Sequence, residues 1–109
     1  MNTFRVQPDT TFIPTRKTKG AAGNDIKCAE TTCIKAGQLK RVPTKCRMGI
    51  PEGHVGLLGG RSGHTSKGIE VKLGFIDEDY RGYVDVMVKN DTEEDFVINE
   101  GDRFAQLII

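Results

Sequence analysis

Alternation of apolar and charged residues organises this chain. In Ile69-Glu70-Val71-Lys72-Leu73 every second side chain is apolar, and Tyr83-Val84-Asp85-Val86-Met87-Val88 repeats the pattern with three valines. A period of two gathers one set of side chains on a common face only when the backbone is extended, so both stretches are predicted strands. Shorter apolar runs at 4–6, 25–28, 39–42, 55–58, 96–98 and 104–109 predict further strands. No window of helical length carries a 3.6-residue period. Between the runs stand turn-forming residues: Pro8, Pro14, the segment 20–23, Pro43, Pro51 with Gly53, Gly59-Gly60, Gly63, Gly82 and the segment 99–101. Many short strands at this spacing predict an all-β fold, a β-sandwich or jelly roll. Without a repeat, low-complexity tract or linker, residues 1–109 are expected to form one domain. Leu107-Ile108-Ile109 reads as an apolar strand with no polar tail, so another element should cover it.

Composition adjusts this picture in three places. A chain of 109 residues, 37% of them hydrophobic, buries only about 65% of its unfolded surface as a monomer, so subunit association would help a modest core. With 16 basic and 15 acidic residues the formal net charge is +1, which offers no footprint for a nucleic-acid backbone or an anionic membrane. The expected partner is a small molecule. Met1-Asn2-Thr3-Phe4-Arg5-Val6 lacks the apolar core of a signal peptide and no stretch approaches a membrane span, which places the protein in the cytoplasm. Cys28, Cys33 and Cys46 form no CxxC pair and have no histidine at ligand spacing, His54 and His64 being the two histidines; reduced, half-buried thiols are expected rather than a zinc site.

Four clusters carry candidate chemistry. Gly59-Gly60-Arg61-Ser62-Gly63 combines glycines that let backbone amides approach an anion, a forked guanidinium and a hydroxyl. Ile76-Asp77-Glu78-Asp79-Tyr80-Arg81-Gly82 sets three carboxylates and a tyrosine between the two best strands, as a hairpin connection would. Ala21-Ala22-Gly23-Asn24-Asp25-Ile26 places one carboxylate at the entry to a strand, and Gly101-Asp102-Arg103-Phe104-Ala105-Gln106-Leu107 follows a turn with Arg103 and Gln106. Taken singly each has a plainer explanation. The first is a turn between strands, and the second a solvated acidic turn in which Gly82 supplies a positive φ and Tyr80 covers the strand edge. The third is small-residue packing, and the fourth a turn with a surface amide. An EF-hand calcium loop does not fit the second, because its ligand spacing and flanking helices are missing.

In order and spacing the four together closely resemble the motifs of the dUTPase family, trimeric type. The family's Ala-Gly-x-Asp-Leu element is matched by Ala22-Gly23-Asn24-Asp25-Ile26, its Arg-Ser-Gly element by Arg61-Ser62-Gly63, its deoxyuridine-binding hairpin by residues 74–82, and its Gly-Asp-Arg-x-Ala-Gln-Leu element by residues 101–107. The resemblance implies a β-sandwich homotrimer that hydrolyses dUTP to dUMP and pyrophosphate with Mg2+, each site drawing on several subunits. It implies that Asp77 holds the sugar 3′-hydroxyl and orients or deprotonates the attacking water. Tyr80 would lie against the deoxyribose, and the backbone of Gly74, Phe75 and Ile76 would read uracil. Arg61, Ser62 and Gln106 would contact the triphosphate, with Gly63 completing the Arg-Ser-Gly element, and Asp25 would stand near the metal through water.

The sequence departs from the family pattern in two places. His64-Thr65 follows Arg61-Ser62-Gly63 where the family usually has Leu-Ala, and the family's fifth motif, a Gly-rich arm carrying an arginine and an aromatic ring, has no counterpart after Ile109. Losing one preorganised donor from such an arm would slow turnover about a hundredfold, so slow hydrolysis with retained binding is expected. Three rival readings stay open. One is a dUTP-binding regulator of a partner protein, another a relative of dCTP deaminase, and the third a structural β-domain without a ligand.

Overall fold

In the computed structural model, which describes residues 5–6, 10 and 12–109, extended segments dominate. They are β1 (Arg5–Val6), β2 (Asn24–Lys27), β3 (Thr32–Ile34), β4 (Leu39–Cys46), β5 (Met48–Gly49), β6 (Gly56–Gly60), β7 (Ile69–Val71), β8 (Gly74–Ile76), β9 (Val84–Asn90), β10 (Phe96–Ile98) and β11 (Arg103–Ile108). A one-turn helix, α1 (Ser62–Thr65), separates β6 from β7. It is too short to leave a helical period in the sequence. Of the predicted 4–6 strand, Phe4 lies outside the described residues, as does Pro8.

Two larger sheets carry the architecture. One runs β2-β11-β6-β8 and the other β4-β9-β7, each through antiparallel pairs; β1-β5 and β10-β3 form smaller pairs. The apolar tail now has its cover, because β11 lies between β2 and β6 and Leu107 is fully buried. In β9 the alternation works as predicted: Val84, Val86 and Val88 enter the core and Asp85 stays outside. They join Ile26, Leu58, Ile69, Ile76, Phe104 and Leu107 in a common cluster. No helix among the described residues is long and apolar enough to cross a membrane.

Several boundaries differ from expectation for identifiable reasons. Pro43 does not end its strand: β4 is an edge strand, where a missing N–H is tolerated, and it continues past Pro43 through a bulge with Lys45 at φ 49°. Thr44 anchors this bulge, donating its hydroxyl to the Val84 carbonyl and accepting from Cys46 N–H. β7 stops at Val71, leaving Leu73 exposed, and the chain then changes sheets. Although β7 and β9 pair as the hairpin reading requires, β8 inside their connection pairs with β6 in the other sheet. Gly59-Gly60 is no turn but the end of β6.

The cysteines are free thiols, with Cys28 and Cys46 in the core and Cys33 half-buried. Burial pushes the Cys46 thiol up to about 11 and raises that of Cys28 as well, so both stay protonated near neutrality, and a buried thiol is inert. Folded protein is therefore expected to yield one titratable thiol per chain, Cys33, to a disulfide reagent at pH 8, and three after unfolding. Fast labelling of all three in the native state would mean that the core is far more open than this packing.

Candidate functional site

All four clusters meet in one sheet. Asp25 stands on β2, Arg103 and Gln106 on β11, Arg61 directly after β6, and Gly74, Phe75 and Ile76 form β8, in the spatial order β2-β11-β6-β8. Register decides which side chains meet: Gln106 lies opposite Asp25 on one side and Gly59 on the other. Gly74 lies opposite Leu58, and Ile76 opposite Gly56.

Gly74, Phe75, Ile76, Asp77 and Tyr80 line one cavity of about 220 Å³, together with Leu58, Tyr83, Val84 and Asp85. β8 is the edge strand of its sheet, with no strand partner on its far side among the described residues. Its outward backbone N–H and C=O groups are thus available to a planar polar ligand. The loop after β8 is tied down by several bonds. Tyr80 N–H donates to the Asp77 carbonyl (3.1 Å), and Arg81 Nη1 donates to the carbonyls of Glu78 (2.7 Å) and Tyr80 (3.0 Å). Glu78 Oε2 accepts from Gly53 N–H (2.6 Å). Gly82 does not supply a positive φ; it supplies space, because the Tyr80 ring lies where a Cβ would stand.

A basic cluster occupies the opposite part of the same sheet. Asp25 Oδ1 lies 3.9 Å from Arg61 Nε and its Oδ2 3.7 Å from Arg103 Nε, with the carboxylate only 12% exposed. Arg61 Nη1 donates to the Arg103 carbonyl (3.0 Å), and Gln106 Nε2 donates to the Gly60 carbonyl (2.9 Å). Two guanidiniums and a carboxamide are thereby held around one carboxylate, a donor-rich surface suited to an anion. Gly23 makes room here, since a Cβ would displace Gln106 Oε1 from its place beside the strand. Gly101, at φ 87°, and Asp102, whose Oδ2 accepts from Asn99 N–H (2.9 Å), shape the turn that delivers Arg103. Ser62 and Gly63 open α1 and are exposed, ahead of its first bond from His64 N–H to the Arg61 carbonyl.

The His64-Thr65 departure is absorbed by packing. The His64 ring meets Phe96 edge-on at 5.6 Å with its Nδ1 buried and unbonded, so the imidazole fills an apolar role, while Thr65 Oγ1 bonds back to the Arg61 carbonyl (3.3 Å).

The cavity and the basic cluster do not merge within one chain. Asp77 follows Ile76 at the Gly56 end of β6, whereas Arg61 follows Gly60 at its other end; at strand rise that separation is about 20 Å. Sequence reasoning missed Arg103 as a partner of Asp25, and missed Leu58, Tyr83 and Asp85 as cavity walls. The Arg103 signal was present in its motif, but only register reveals the pairing. Asp85 is the one carboxylate in β9, a signal that could have found it.

Comparison with known proteins bears on the family and the fold. The dUTPase family profile matches residues 9–109. The deoxyuridine 5′-triphosphate nucleotidohydrolase of cowpox virus (strain GRI-90 / Grishak) is 42% identical over 95 residues, covering 87% of this chain and 65% of the relative; the chain thus spans about two-thirds of that protein's length. Among solved structures, a variant dUTPase from phage phi11 of S. aureus, described for its coordination of a structural Mg(II) ion, superposes with a TM-score of 0.91 at 31% identity, over 98% of this chain and 89% of the other. The dUTPase of Staphylococcus bacteriophage 80alpha with dUPNHPP gives 0.92 at 30% identity, over 99% of this chain and 82% of the other. With four motifs assembled on one sheet and the profile spanning nearly the whole chain, this protein belongs to the dUTPase family.

Proposed function

We propose that this chain is a dUTP diphosphatase, hydrolysing dUTP to dUMP and pyrophosphate with Mg2+. One observation carries the reading: a cavity bounded by Asp77, Tyr80 and the free edge of β8 lies on the same sheet as a surface of Arg61, Arg103 and Gln106. At about 220 Å³ the cavity is smaller than the roughly 300–1,000 Å³ typical of ligand pockets, which suits a base with its sugar and leaves the phosphates outside. Uracil pairs with the backbone of Gly74, Phe75 and Ile76, and cytosine would strand donors and acceptors there, a mismatch worth up to about 10⁴-fold. Tyr80 closes the sugar side. As a steric wall it discriminates by only about 10²-fold.

The triphosphate takes donors from Arg61, Ser62, Gly63 and Gln106. The roughly 20 Å between Asp77 and Arg61 leaves a bound nucleotide spanning two copies of the chain, in keeping with a homotrimer. The exposed Phe75, which lies beside Leu57 and Ile108 across neighbouring strands, offers apolar surface for such association. No cluster of three acidic, histidine or cysteine side chains suited to a metal exists among the described residues. Mg2+ would arrive with its phosphates, since this ion keeps waters and borrows phosphate oxygens. Asp25 would hold it through water, and the ion would offset the triphosphate's charge. Three free thiols suit a reducing cytoplasm.

The chain's two tyrosines, Tyr80 and Tyr83, both line the cavity, and it has no tryptophan. Intrinsic fluorescence therefore reports on the site alone, and dUMP is expected to change it saturably while dCMP does not. Coupled pyrophosphate release from dUTP completes the test. Binding without turnover would select the regulator, ammonia from dCTP the deaminase, and no response to any nucleotide the structural domain.

A further inference from the structure

We propose that Gly82 is a specificity-determining position: by leaving room for the Tyr80 ring it sets how sharply the site rejects a ribonucleotide. The inference rests on the reading of the cavity as a deoxyuridine site. A Cβ built on Gly82 would lie 2.5 Å from Tyr80 Oη, 2.8 Å from Cζ and 3.2 Å from Cε1. Carbon atoms pack at about 3.5–4.0 Å, so any side chain at this position displaces the ring tip by about 1 Å. The ring has one polar anchor, the bond from Tyr80 Oη to the Tyr83 carbonyl (2.8 Å), and at 45% exposure little packing holds it otherwise. Tyr83 is itself braced by the Arg47 guanidinium, 5.1 Å from its ring centroid.

The backbone does not need glycine here. Gly82 is absent from the glycines with positive φ, which are Gly37, Gly53, Gly68 and Gly101, so alanine meets no backbone strain. Nor does the loop depend on the Tyr80 ring. Its main chain is held by Arg81 Nη1 on the carbonyls of Glu78 and Tyr80, by Gly53 N–H on Glu78 Oε2, and by Tyr80 N–H on the Asp77 carbonyl. A methyl group at position 82 therefore moves one side chain and leaves the frame in place. A steric filter tolerates such movement poorly, because it rejects an added hydroxyl only while its wall is tight.

The test is the ratio of kcat/KM for dUTP to that for UTP, with each protein's melting temperature measured alongside. Gly82→Ala is expected to lower the ratio about tenfold, from a filter of about 10²-fold, with stability nearly unchanged. Tyr80→Phe, which keeps the ring and loses only the Tyr83 anchor, should lower it in the same direction by less. The double variant should be no worse than Gly82→Ala alone, because both changes act through one ring. Asp79→Ala, exposed on the same loop and outside the cavity, should leave the ratio intact. A wild-type protein that does not prefer dUTP over UTP overturns the deoxyuridine reading itself. A wild type that does prefer it, with the ratio unchanged in Gly82→Ala or additive losses in the double variant, overturns the role of Gly82 alone. Should Gly82→Ala fail to fold, an unchanged ratio in Tyr80→Phe is equally decisive.

Discussion

Asp77→Asn is expected to lower kcat for dUTP hydrolysis by about 10²–10⁴-fold, the range for losing a positioned general base, while changing dUTP affinity only a few-fold. Asp77 follows the last residue of β8, and its carbonyl is fixed by Tyr80 N–H, so the side chain projects from a held position into the cavity. It is exposed, which lets water reach it. Asparagine preserves the volume and can still hydrogen-bond a sugar hydroxyl. What it cannot do is accept a proton from the attacking water. Asp85 is the rival base on the cavity wall, but it pairs with Arg41 at 3.5 Å across β4 and β9, which commits its carboxylate elsewhere. Asp85→Asn should thus retain most activity. Pyrophosphate release read beside a tyrosine-fluorescence titration separates the cases: a fully active Asp77→Asn enzyme removes Asp77 from the chemistry, and an inactive Asp85→Asn enzyme transfers the role.

What the sequence made legible, and what it hid, follows from the range of the interactions involved. Period-two alternation identified β7 and β9 because it is written in adjacent residues, and 96–98 emerged with its predicted bounds. Alternation says that a segment is extended without saying which sheet receives it. The move of β8 from the company of β7 to that of β6 therefore left no local trace, and residues 74–76 read as part of a turn. β3, Thr32-Cys33-Ile34, was missed because it carries a single strongly apolar residue and takes its strand form from pairing with β10. The same limit applies to the site. Each motif was visible on its own, but the pinning of Asp25 between Arg61 and Arg103 depends on three strands meeting in register. Gly82 was misjudged for another reason: glycine was read as a backbone signal, and here its missing Cβ makes room for a ring.

Asn90→Ala is expected to cost about 3–5 kcal/mol of folding stability, the scale of a broken buried hydrogen-bond network. Asn90 ends β9 fully buried, and its amide uses every bonding capacity it has. Nδ2 donates to the carbonyls of Ile34 (2.9 Å) and Glu94 (2.8 Å), while Oδ1 accepts from Thr92 N–H (3.0 Å) and Thr92 Oγ1 (2.7 Å). One side chain thereby joins β9 to β3 and to the turn that leads into β10. Alanine would take the Nδ2 donor from the buried Ile34 carbonyl and the acceptor from Thr92 N–H, while the exposed Glu94 carbonyl keeps its bond from Thr92 Oγ1 (2.9 Å). Against a total stability of about 5–15 kcal/mol this is a large share, and for a domain of this size it lowers the melting temperature by roughly 15–25 °C. Asn90→Asp keeps the volume but turns two donors into acceptors facing carbonyls, so it should be at least as damaging as alanine. Chemical denaturation of the three proteins checks the order, and a loss below about 1 kcal/mol for Asn90→Ala would show that the network adds little. Because Asn90 touches neither the cavity nor the basic cluster, dUTP affinity measured well below the transition should stay at the wild-type value. A parallel loss of affinity would instead mean that the β3-β9-β10 corner supports the nucleotide site through the fold.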